Sequence, residues 1–534
     1  MAALFPEGMR KQVELIRIIK DFRPVNDETL LDKAAQLAPV LYHQTVAAEK
    51  CFPVDGQGCR EPENTAPAEA ARTGLRKGQS LCFDFGRHLV GYVTLTLSHT
   101  GSHPDAPALL KLNFAETFKE LEMRSEDYRG WVSGSWIQEE YIHVDELPGQ
   151  IRLPRRYAFR YLKLTVLETS PKYRLTVDRA ECVTETSAGP NSPDGFAAGD
   201  PMLDKIWQVS LRTLADCMQD VFEDGPKRDR RLWVGDLRLE ALANYASYKN
   251  YDLVKRCLYL FGGSRFPDGR VSACLFTRPD VWADDTYMFD YALLYVVTLE
   301  EYMRQTGDRE ALNDLYDVAM EQVELSLRQC DERHIVSEQA GKDSFIDWSD
   351  GLDKQACAQA VLICALSSAR QLAQRKNDQQ KVSWLAERTD ALKRAAREHF
   401  WDPEQRCFVS NGQISIASQI WMTLADVLTP EEAAGLMDRS GQFMGNFPMA
   451  TPYMHHYYVM ALLHAGLTEK AVGHLKQYWG GMVEAGADTF WESWDPGDPD
   501  GSPYGGSIIN SFCHGWSCTP AYILKLLQLQ GMLG

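Results

Sequence analysis

The spacing of apolar residues along the chain changes near residue 200. Between residues 80 and 188, short runs alternate apolar with polar residues, carry many aromatic and β-branched side chains, and are separated by Gly, Pro, Ser and Asp. This alternation predicts β-strands, because successive side chains of a strand point to opposite faces. Five or more such runs within about a hundred residues predict an antiparallel β-sandwich.

After the Gly- and Pro-rich segment 187–200, apolar residues recur at positions i, i+3 and i+4, which predicts helices. Ten or more helices within about 330 residues favour helix pairs that close on themselves as an (α/α)6 barrel. A helical solenoid would instead repeat one consensus at a fixed period, and no such repeat is found. The predicted helices lie near residues 201–220, 237–261, 283–306, 309–330, 353–376, 379–399, 414–438, 451–465, 467–483 and 505–530.

The beginning of the chain carries a weaker pattern. Residues 8–21 place apolar residues among charged ones and predict one short amphipathic helix, while the stretch 51–79 is rich in Gly, Pro, Ala and charge and is typical of a connector. The expected protein is therefore mainly α with a β domain. Its predicted parts are 1–79, an N-terminal helix and connector; 80–188, the β-sandwich; and 189–534, the (α/α)6 barrel catalytic domain.

Composition narrows the classes of function. The 534 residues include 56 Lys and Arg against 74 Asp and Glu, a net charge of −18, which argues against nucleic acid as a partner. No apolar run approaches the roughly 18 residues of a membrane span, and the N-terminal stretch lacks the apolar core of a secretory signal. Thirteen cysteines without any C-x-x-C pair favour a reducing compartment. We therefore expect a cytoplasmic protein with no membrane partner.

The most informative segment runs from Glu223 to Asp236 and reads EDGPKRDRRLWVGD. Its composition alone is also typical of a solvated charged loop, with Asp236 capping the following helix. In the functional interpretation, Arg228 orients a neighbouring carboxylate or shifts its pKa through charge-assisted hydrogen bonds. Trp233 forms an apolar wall that excludes water.

A second segment, DTFWESWD, places Glu492 between Trp491 and Trp494 at the start of a loop rich in Gly, Pro and Asp. Aromatic rings beside a carboxylate suit a sugar site, because one face of a pyranose is apolar while its hydroxyl groups seek polar partners. Two core tryptophans with an exposed glutamate would give the same pattern. His514 follows the loop, and a single histidine of this kind is more often structural than catalytic.

Three weaker clusters repeat the combination of aromatic and polar residues at predicted loop–helix junctions: PDVWADD with Trp282 and Asp284, FIDWSDG with Trp348, and TPYMHHYY with His455 and His456. The adjacent histidines point about 100° apart on a helix and have no histidine partner at i+4. No metal site is therefore predicted. No nucleotide, flavin or haem motif is present either, so no cofactor is expected.

These motifs together resemble the glycoside hydrolases of family 78, inverting α-L-rhamnosidases in which β-sandwich domains precede an (α/α)6 catalytic barrel. The signature Asp-Cys-Pro-x-Arg-Glu/Asp, then Trp-x-Gly-Asp, stands here as Asp224–Asp229 and Trp233–Asp236, and Trp-Glu-x-Trp stands as Trp491–Trp494. The resemblance covers residues 200–534 and, more weakly, the strand pattern of residues 84–98. This chain resembles the compact two-domain bacterial members.

The resemblance implies that Asp229 is the general acid and Glu492 the general base that activates water, with the acid's pKa raised by neighbouring carboxylates. Two departures stand out: Gly225 replaces the frequent Cys, and Asp229 is one methylene shorter than the Glu of many members. The residues implied to contact the sugar are Asp224, Arg228, Trp233, Asp236, Trp282, Asp284, Trp348, Trp494 and His514.

The leading hypothesis is a cytoplasmic α-L-rhamnosidase that removes terminal rhamnose from a small rhamnose-containing glycoside or oligosaccharide with inversion. The resemblance also favours a homodimer. Three alternatives remain open from the residues: a barrel glycosidase for another sugar, a carbohydrate-binding protein that has lost catalysis, and a helical scaffold for protein partners. The residues do not specify the aglycone or its linkage.

Overall fold

Within the described residues, eight strands build the first domain of the protein. A computed structural model describes residues 22–54, 74–190, 193, 196–445, 447–499 and 501–533. The sheet order is β2-β9-β4-β8-β5-β6, all neighbours are antiparallel, and β3 and β7 also pair with β4. The strands are β2 Tyr42–Ala47, β3 Lys50–Val54, β4 Ser80–Gly101, β5 Ala108–Ala115, β6 Glu139–Val144, β7 Gly149–Arg152, β8 Tyr157–Glu168 and β9 Tyr173–Thr186.

Strand β4 belongs to both layers of the sandwich. Its first residues, Ser80–Asp84, pair with β3 and β8, and its last residues, Gly91–Gly101, pair with β9, with β7 on the opposite edge at residues 94–97. The register shifts between these halves, where the strand turns from one layer to the other. Apolar side chains of both layers, such as Phe83 and Leu175, share one core. The predicted antiparallel sandwich is confirmed.

Residues 22–54 form regular elements ahead of the predicted start of the sandwich at residue 80. They form β1 (Val25–Asn26), α1 (Glu28–Gln36), β2 and β3, while the predicted helix 8–21 and residues 55–73 lie outside the described residues. Strand β2 escaped prediction because nearly all its side chains are exposed, so no apolar alternation marks it. Its pairing with β9, far along the chain, makes it a strand.

Twelve helices form the barrel, alternating between an outer and an inner layer. The outer helices are α2 Pro201–Cys217, α4 Tyr251–Gly263, α6 Arg309–Leu327, α9 Gln379–Phe400, α11 Pro430–Asp438 and α13 Thr468–Glu484. The inner helices are α3 Val234–Ala246, α5 Phe289–Thr306, α8 Gln355–Lys376, α10 Ile416–Leu424, α12 Pro452–His464 and α14 Pro520–Leu529. The short helix α7 (Glu338–Lys342) lies in a loop.

The inner helices are buried nearly all round, as expected of helices surrounded by other helices. Neighbouring inner helices contact one another from α3 to α12, α14 contacts α3, and the 3₁₀ turn Gly515–Ser517 contacts both α3 and α12 and completes the ring. The predicted (α/α)6 barrel is confirmed. By length and composition α8 alone among the described helices could cross a membrane, but it is mostly buried in this ring.

Three of the predicted helices differ from those observed. The stretch 237–261 is divided into α3 and α4, because Asn250 caps α4 and Lys249 has a positive φ of 58°. The stretch 414–438 is divided into α10 and α11 by Thr429, a helix cap followed by proline. The stretch 505–530 is helical mainly at Pro520–Leu529, and the residues before it form a long loop.

The loops that precede the inner helices meet at one end of the barrel. Asp290 at the start of α5 accepts hydrogen bonds from the backbone of Phe345 and Ile346, and Asp347 accepts them from Ala450 and Thr451. Short strands of two or three residues pair within the same loops: β10 Leu232–Trp233, β11 Ser264–Arg265, β12 Cys274–Phe276 and β13 Trp282–Ala283. Two further short strands, β14 Trp401–Asp402 and β15 Cys407–Phe408, lie elsewhere in the barrel domain. The positive ends of the inner helices therefore point toward a common site.

Candidate active site

Glu492 lies buried at the centre of this end of the barrel. Its carboxylate is paired with the guanidinium of Arg228, accepts a hydrogen bond from the Tyr504 hydroxyl at 2.5 Å, and lies 3.4 Å from Nε2 of His514. The backbone N–H of Ser511 also donates to it at 3.4 Å. Burial alone would raise the pKa of Glu492, but Arg228 and His514 outweigh it and hold the pKa well below its ordinary value. Glu492 is therefore a carboxylate throughout the neutral range.

Arg228 joins Glu492 to Asp229. One amino nitrogen of its guanidinium contacts Glu492, and the other lies 3.6 Å from Oδ1 of Asp229. The same guanidinium lies over the ring of Tyr504, 3.9 Å from the ring centre. The Asp229 side chain is 21% exposed, whereas those of Arg228 and Glu492 are 3% and 4% exposed. Of the two carboxyl groups, Asp229 is the one that opens toward solvent.

Asp224 and Asp236 lie beneath this pair. Burial raises the pKa of Asp236 to about 7, with His514 opposing the rise and Glu492 adding to it. Burial, followed by the charges of Asp229 and Asp236, raises the pKa of Asp224 well above its ordinary value. Asp224 Oδ1 accepts a hydrogen bond from a backbone N–H of its own loop at 3.0 Å. These two acids are therefore proton-bearing groups near neutral pH, next to an ionised Glu492.

Two buried polar atoms of the site lack a protein partner among the described residues. Oδ1 of Asp236 and Nδ1 of His514 lie 3.5 Å apart, and neither makes a hydrogen bond. Buried polar atoms are nearly always hydrogen-bonded, and exceptions are typical of functional sites. Each atom is thus the other's polar neighbour, and neither has its hydrogen-bonding capacity satisfied.

Aromatic rings form the walls of the site. Trp348 makes edge contacts with Tyr504 at 5.6 Å and with Trp516 at 5.3 Å between ring centres, and the indole N–H of Trp516 donates to the carbonyl oxygen of Glu492 at 3.0 Å. Trp233 contacts the ring of Tyr291 at 6.5 Å. The structure thus brings together Glu492, Asp229, Arg228, Asp236, His514, Asp224 and Trp348 from the residues singled out in the sequence.

Three other predicted site residues lie further out. Trp282 is 37% exposed on the hairpin of β12 and β13, and Asp284 accepts hydrogen bonds within that hairpin from Thr286 at 2.6 Å and Cys274 at 3.5 Å. Trp494 packs edge-on against Trp491 and lines a separate cavity of about 120 Å³. None of the three touches Glu492 or Asp229 in the contacts of the described residues.

A larger cavity of about 630 Å³ adjoins the site at Trp348. Its lining is aromatic and charged and includes Phe266, Tyr287, Asp350 and Lys354. Because Trp348 contacts Tyr504, which in turn contacts Glu492, the cavity is separated from the buried carboxylate by two aromatic rings.

Sequence reasoning missed Tyr504 and Trp516. Tyr504 lies in the loop PDGSPYGGS, where an aromatic residue among glycines and prolines was the only signal. The β-domain holds this loop: Trp131 donates from its indole N–H to the Pro503 carbonyl oxygen at 3.1 Å, and Tyr128 donates to the Tyr504 carbonyl oxygen at 3.3 Å. The β-domain therefore helps to position one wall of the site.

The glycine at position 225 fits the observed loop. A Cβ atom there would lie 2.5 Å from the carbonyl oxygen of Arg228 and 2.9 Å from Oγ of Ser511. Atoms do not approach so closely without displacement, so this loop has closed around a residue that has no side chain.

One group of residues has donor atoms close enough to hold a metal ion. His88, Asp216 and Cys513 bring one such atom each within 4.8 Å of one another. However, both ring nitrogens of His88 already face carboxylates, Asp216 at 2.7 Å and Glu116 at 3.0 Å. A histidine between two carboxylates is typical of an ion-paired imidazolium rather than of a neutral metal ligand.

Two family models match the chain. The model described as the glycosyl hydrolase family 78 alpha-rhamnosidase N-terminal domain matches residues 52–184. The model described as the bacterial alpha-L-rhamnosidase 6 hairpin glycosidase domain matches residues 194–525, more than half of the chain. No curated protein matches.

Solved structures include a similar protein of nearly the same length, a rhamnosidase from Klebsiella oxytoca with rhamnose bound. It is 44% identical, with a TM-score of 0.91 over 95% of this chain and 99% of that one. A family 78 rhamnosidase of Bacillus sp. GL1 is 22% identical, with a TM-score of 0.71 over 84% of this chain and 46% of its own. The Streptomyces avermitilis α-L-rhamnosidase complexed with L-rhamnose is 17% identical, with a TM-score of 0.66 over 92% and 44%. The last two likenesses concern the fold.

Proposed function

The chain belongs to glycoside hydrolase family 78 and is an α-L-rhamnosidase, and on this premise we propose that Asp229 and Glu492 carry out its reaction with inversion at the anomeric carbon. The observation that carries this assignment is the shared contact of both carboxyl groups with Arg228. An inverting pair is separated by roughly 6.5–9.5 Å, which leaves room for a water on the far face of the sugar. Contacts with two different nitrogens of one guanidinium keep the two carboxyl groups apart and fix their positions relative to each other.

The surroundings of the two groups suit different tasks. Glu492 is held ionised by Arg228 and His514 and is therefore ready to take a proton from water. Asp229 is the more exposed of the two, so it can reach the glycosidic oxygen of a substrate that enters from solvent. Tyr504 and Ser511 fix the orientation of the Glu492 carboxylate by hydrogen bonds.

We propose that the rhamnose ring binds between Trp348 and the buried acids. Oδ1 of Asp236 and Nδ1 of His514, which make no hydrogen bond in the protein, would bind its hydroxyl groups. Burial, together with the charges of Asp229 and Asp236, raises the pKa of Asp224, which makes Asp224 a second donor. Trp348 would contact the apolar face of the sugar.

A small glycoside is the proposed substrate. The cavity of about 630 Å³ beside Trp348 lies in the size range of small-molecule sites, roughly 300–1,000 Å³, and would receive the aglycone. We also propose a cytoplasmic location, supported by the free thiols of all described cysteines. A homodimer is proposed from the family resemblance, and sedimentation velocity would test it.

The test is hydrolysis of p-nitrophenyl α-L-rhamnopyranoside beside a panel of other nitrophenyl glycosides, with the released anomer followed by NMR. We expect rhamnoside to be the preferred substrate and β-L-rhamnose to appear first. Initial release of the α anomer would contradict inversion. Preference for another sugar would contradict the substrate, and rhamnose binding without turnover of any glycoside would identify a binding protein.

A further inference from the structure

A buried lysine connects the β-domain to the loop that carries Asp229. The side chain of Lys227 is 2% exposed. Its ammonium group is paired with Glu120, donates to the carbonyl oxygen of Asn510 at 2.8 Å, and lies 3.6 Å from Oε2 of Glu116. An interior ammonium group is stable only when it is paired and hydrogen-bonded, and here every partner is supplied from another part of the chain.

The two carboxyl partners of Lys227 belong to the β-domain. Glu116 directly follows β5, and Glu120 lies in the 3₁₀ turn Phe118–Glu122. Oε2 of Glu120 accepts hydrogen bonds from the backbone N–H groups of Glu116 at 2.7 Å and Thr117 at 2.9 Å. Burial raises the pKa of Glu120, and the charge of Lys227 opposes that rise. The β-domain thus orients this carboxyl group by its own backbone.

Glu116 extends the network to the second catalytic loop. Its Oε2 accepts from the backbone N–H of Phe512 at 2.7 Å, and its Oε1 lies 3.0 Å from Nε2 of His88. Burial lowers the pKa of His88, but Cys513, Asp216 and Glu116 outweigh this effect and raise it well above its ordinary value. Positive and negative groups therefore alternate across the junction between the domains, in the order Lys227, Glu116, His88 and Asp216.

This network holds the two loops that carry the proposed acid and base. Lys227 directly precedes Arg228, which contacts both Asp229 and Glu492. The residues that bind Lys227 and Glu116 from the second loop lie on either side of Ser511, whose N–H donates to Glu492. Lys227 faces the β-domain while its neighbour Arg228 faces the site.

We propose that Lys227 is a positioning residue for the reaction. Anchored by its two carboxyl partners, it fixes the backbone of the loop 223–231, so that the guanidinium of Arg228 holds Asp229 and Glu492 at the distance required. This inference rests on the proposed roles of those two carboxyl groups. It gives the β-domain a part in catalysis without any contact to the sugar.

Lys227→Met in the full-length chain tests the proposal. The variant leaves a buried carboxylate unpaired, so its melting temperature should also fall. The double variant Lys227→Met/Glu120→Gln also removes the charge of that carboxylate. We expect kcat on p-nitrophenyl α-L-rhamnopyranoside to fall about 10- to 100-fold in both variants with KM nearly unchanged, because a displacement near 1 Å can lower a rate by about 10²-fold. The melting temperature should recover in the double variant, while kcat should stay low.

Lys255→Met is the matched control, since Lys255 pairs with Asp308 and Glu310 between two outer helices and should keep the wild-type kcat. Recovery of kcat together with melting temperature in the double variant, or wild-type kcat in Lys227→Met, would overturn the proposal. In an Asp229→Asn background, Lys227→Met should lower kcat by a smaller factor than in the wild type, because the part of its effect that acts through Asp229 is already lost and only the part through Glu492 remains. Losses that multiply would also overturn it. Wild-type turnover in Asp229→Asn would instead refute the proposed acid.

Discussion

At the scale of single residues, Asp229 and Glu492 make the most direct prediction. Asp229→Asn and Glu492→Gln should each lower kcat by about 10³-fold or more, since each removes a proton-transfer group that contributes roughly 10²–10⁴-fold, and the amide introduced at position 492 also disturbs Arg228. Steady-state kinetics with circular dichroism measures loss of activity in a folded protein. Asp317→Asn, at an exposed position on α6, is the control. Near wild-type turnover in either variant would remove that residue from the mechanism.

Arg228 sets the ionisation of Glu492, so its replacement should change the pH dependence of the reaction. In Arg228→Met, only His514 still opposes the effect of burial, and the pKa of Glu492 should rise from its lowered value toward its ordinary value of 4.5. An acidic limb that is absent in the wild type should then appear at the low-pH end of the kcat/KM profile, which is measured from pH 4 to 9.

Arg228→Lys separates charge from geometry in this experiment. Lysine keeps a positive charge beside Glu492 but cannot contact two carboxyl groups through a planar fork. The acidic limb should therefore move less than in Arg228→Met while kcat still falls. An unchanged acidic limb in Arg228→Met would show that another group keeps Glu492 ionised.

At the scale of elements, the loop 223–231 is shaped by Gly225. Gly225→Ala would place a Cβ atom 2.5 Å from the carbonyl oxygen of Arg228, so the loop must shift. We expect a loss of about 1–3 kcal/mol in the free energy of unfolding, the usual effect of overpacking, and a fall in kcat of about tenfold. Thermal unfolding and kinetics measure both.

Gly435→Ala is the matched control for this substitution. Gly435 lies within α11, where no atom comes within 4 Å of the position that a Cβ would take, and alanine is the better helix former by roughly 1 kcal/mol. This variant should be as stable as the wild type or more so, with unchanged kcat. If Gly225→Ala behaved in the same way, the loop would have room for a side chain and the explanation of Gly225 would be wrong.

The same scale shows which elements a sequence can predict. The outer barrel helices could be predicted because each buries an apolar surface that repeats with helical period, and the inner ones because they are long and apolar on nearly all sides. The strands β4, β8 and β9 could be predicted because one face of each enters the core. Strand β2 could not, because its pairing with β9 is set by backbone hydrogen bonds that leave no apolar pattern. The division of 414–438 was visible in the capping sequence beginning at Thr429, but periodicity alone joined the two helices.

At the scale of the whole molecule, the site is only partly encoded in local motifs. Asp224, Arg228 and Asp229 could be found because they occupy one short segment with a recognisable spacing. Lys227 lies in the same segment, yet a lysine in a charged loop is expected to be exposed to solvent. Its partner Glu120 is 107 residues away, and such a pairing is decided by how the domains pack. Tyr504 was missed for the same reason, since its place beside Glu492 depends on a loop held by the β-domain.

The junction between the domains also predicts how stability depends on pH. Burial lowers the pKa of His88, but Cys513, Asp216 and Glu116 outweigh burial and raise it well above 6.5. A raised histidine pKa contributes stability that is complete below 6.5 and is lost as pH rises through the folded-state value. Unfolding followed by urea at pH 7.5 and 8.5 measures this loss, and the part that His88 contributes should be at most about 1.4 kcal/mol over this unit.

His88→Gln should remove the part of the fall that His88 contributes, because glutamine does not titrate. The pKa of Asp236, about 7, lies below the interval, and burial also raises the pKa of Asp224 and of buried thiols such as Cys257, which contribute equally to both proteins. His464→Gln is the control: His464 also has a raised pKa, from its hydrogen bond to Asp426, but it is 42% exposed and its contribution is screened by solvent. The wild-type slope should thus remain in His464→Gln and become smaller in His88→Gln. An equal slope in the wild type and His88→Gln would mean that His88 is already neutral in the folded protein and that the charges at the domain junction do not alternate.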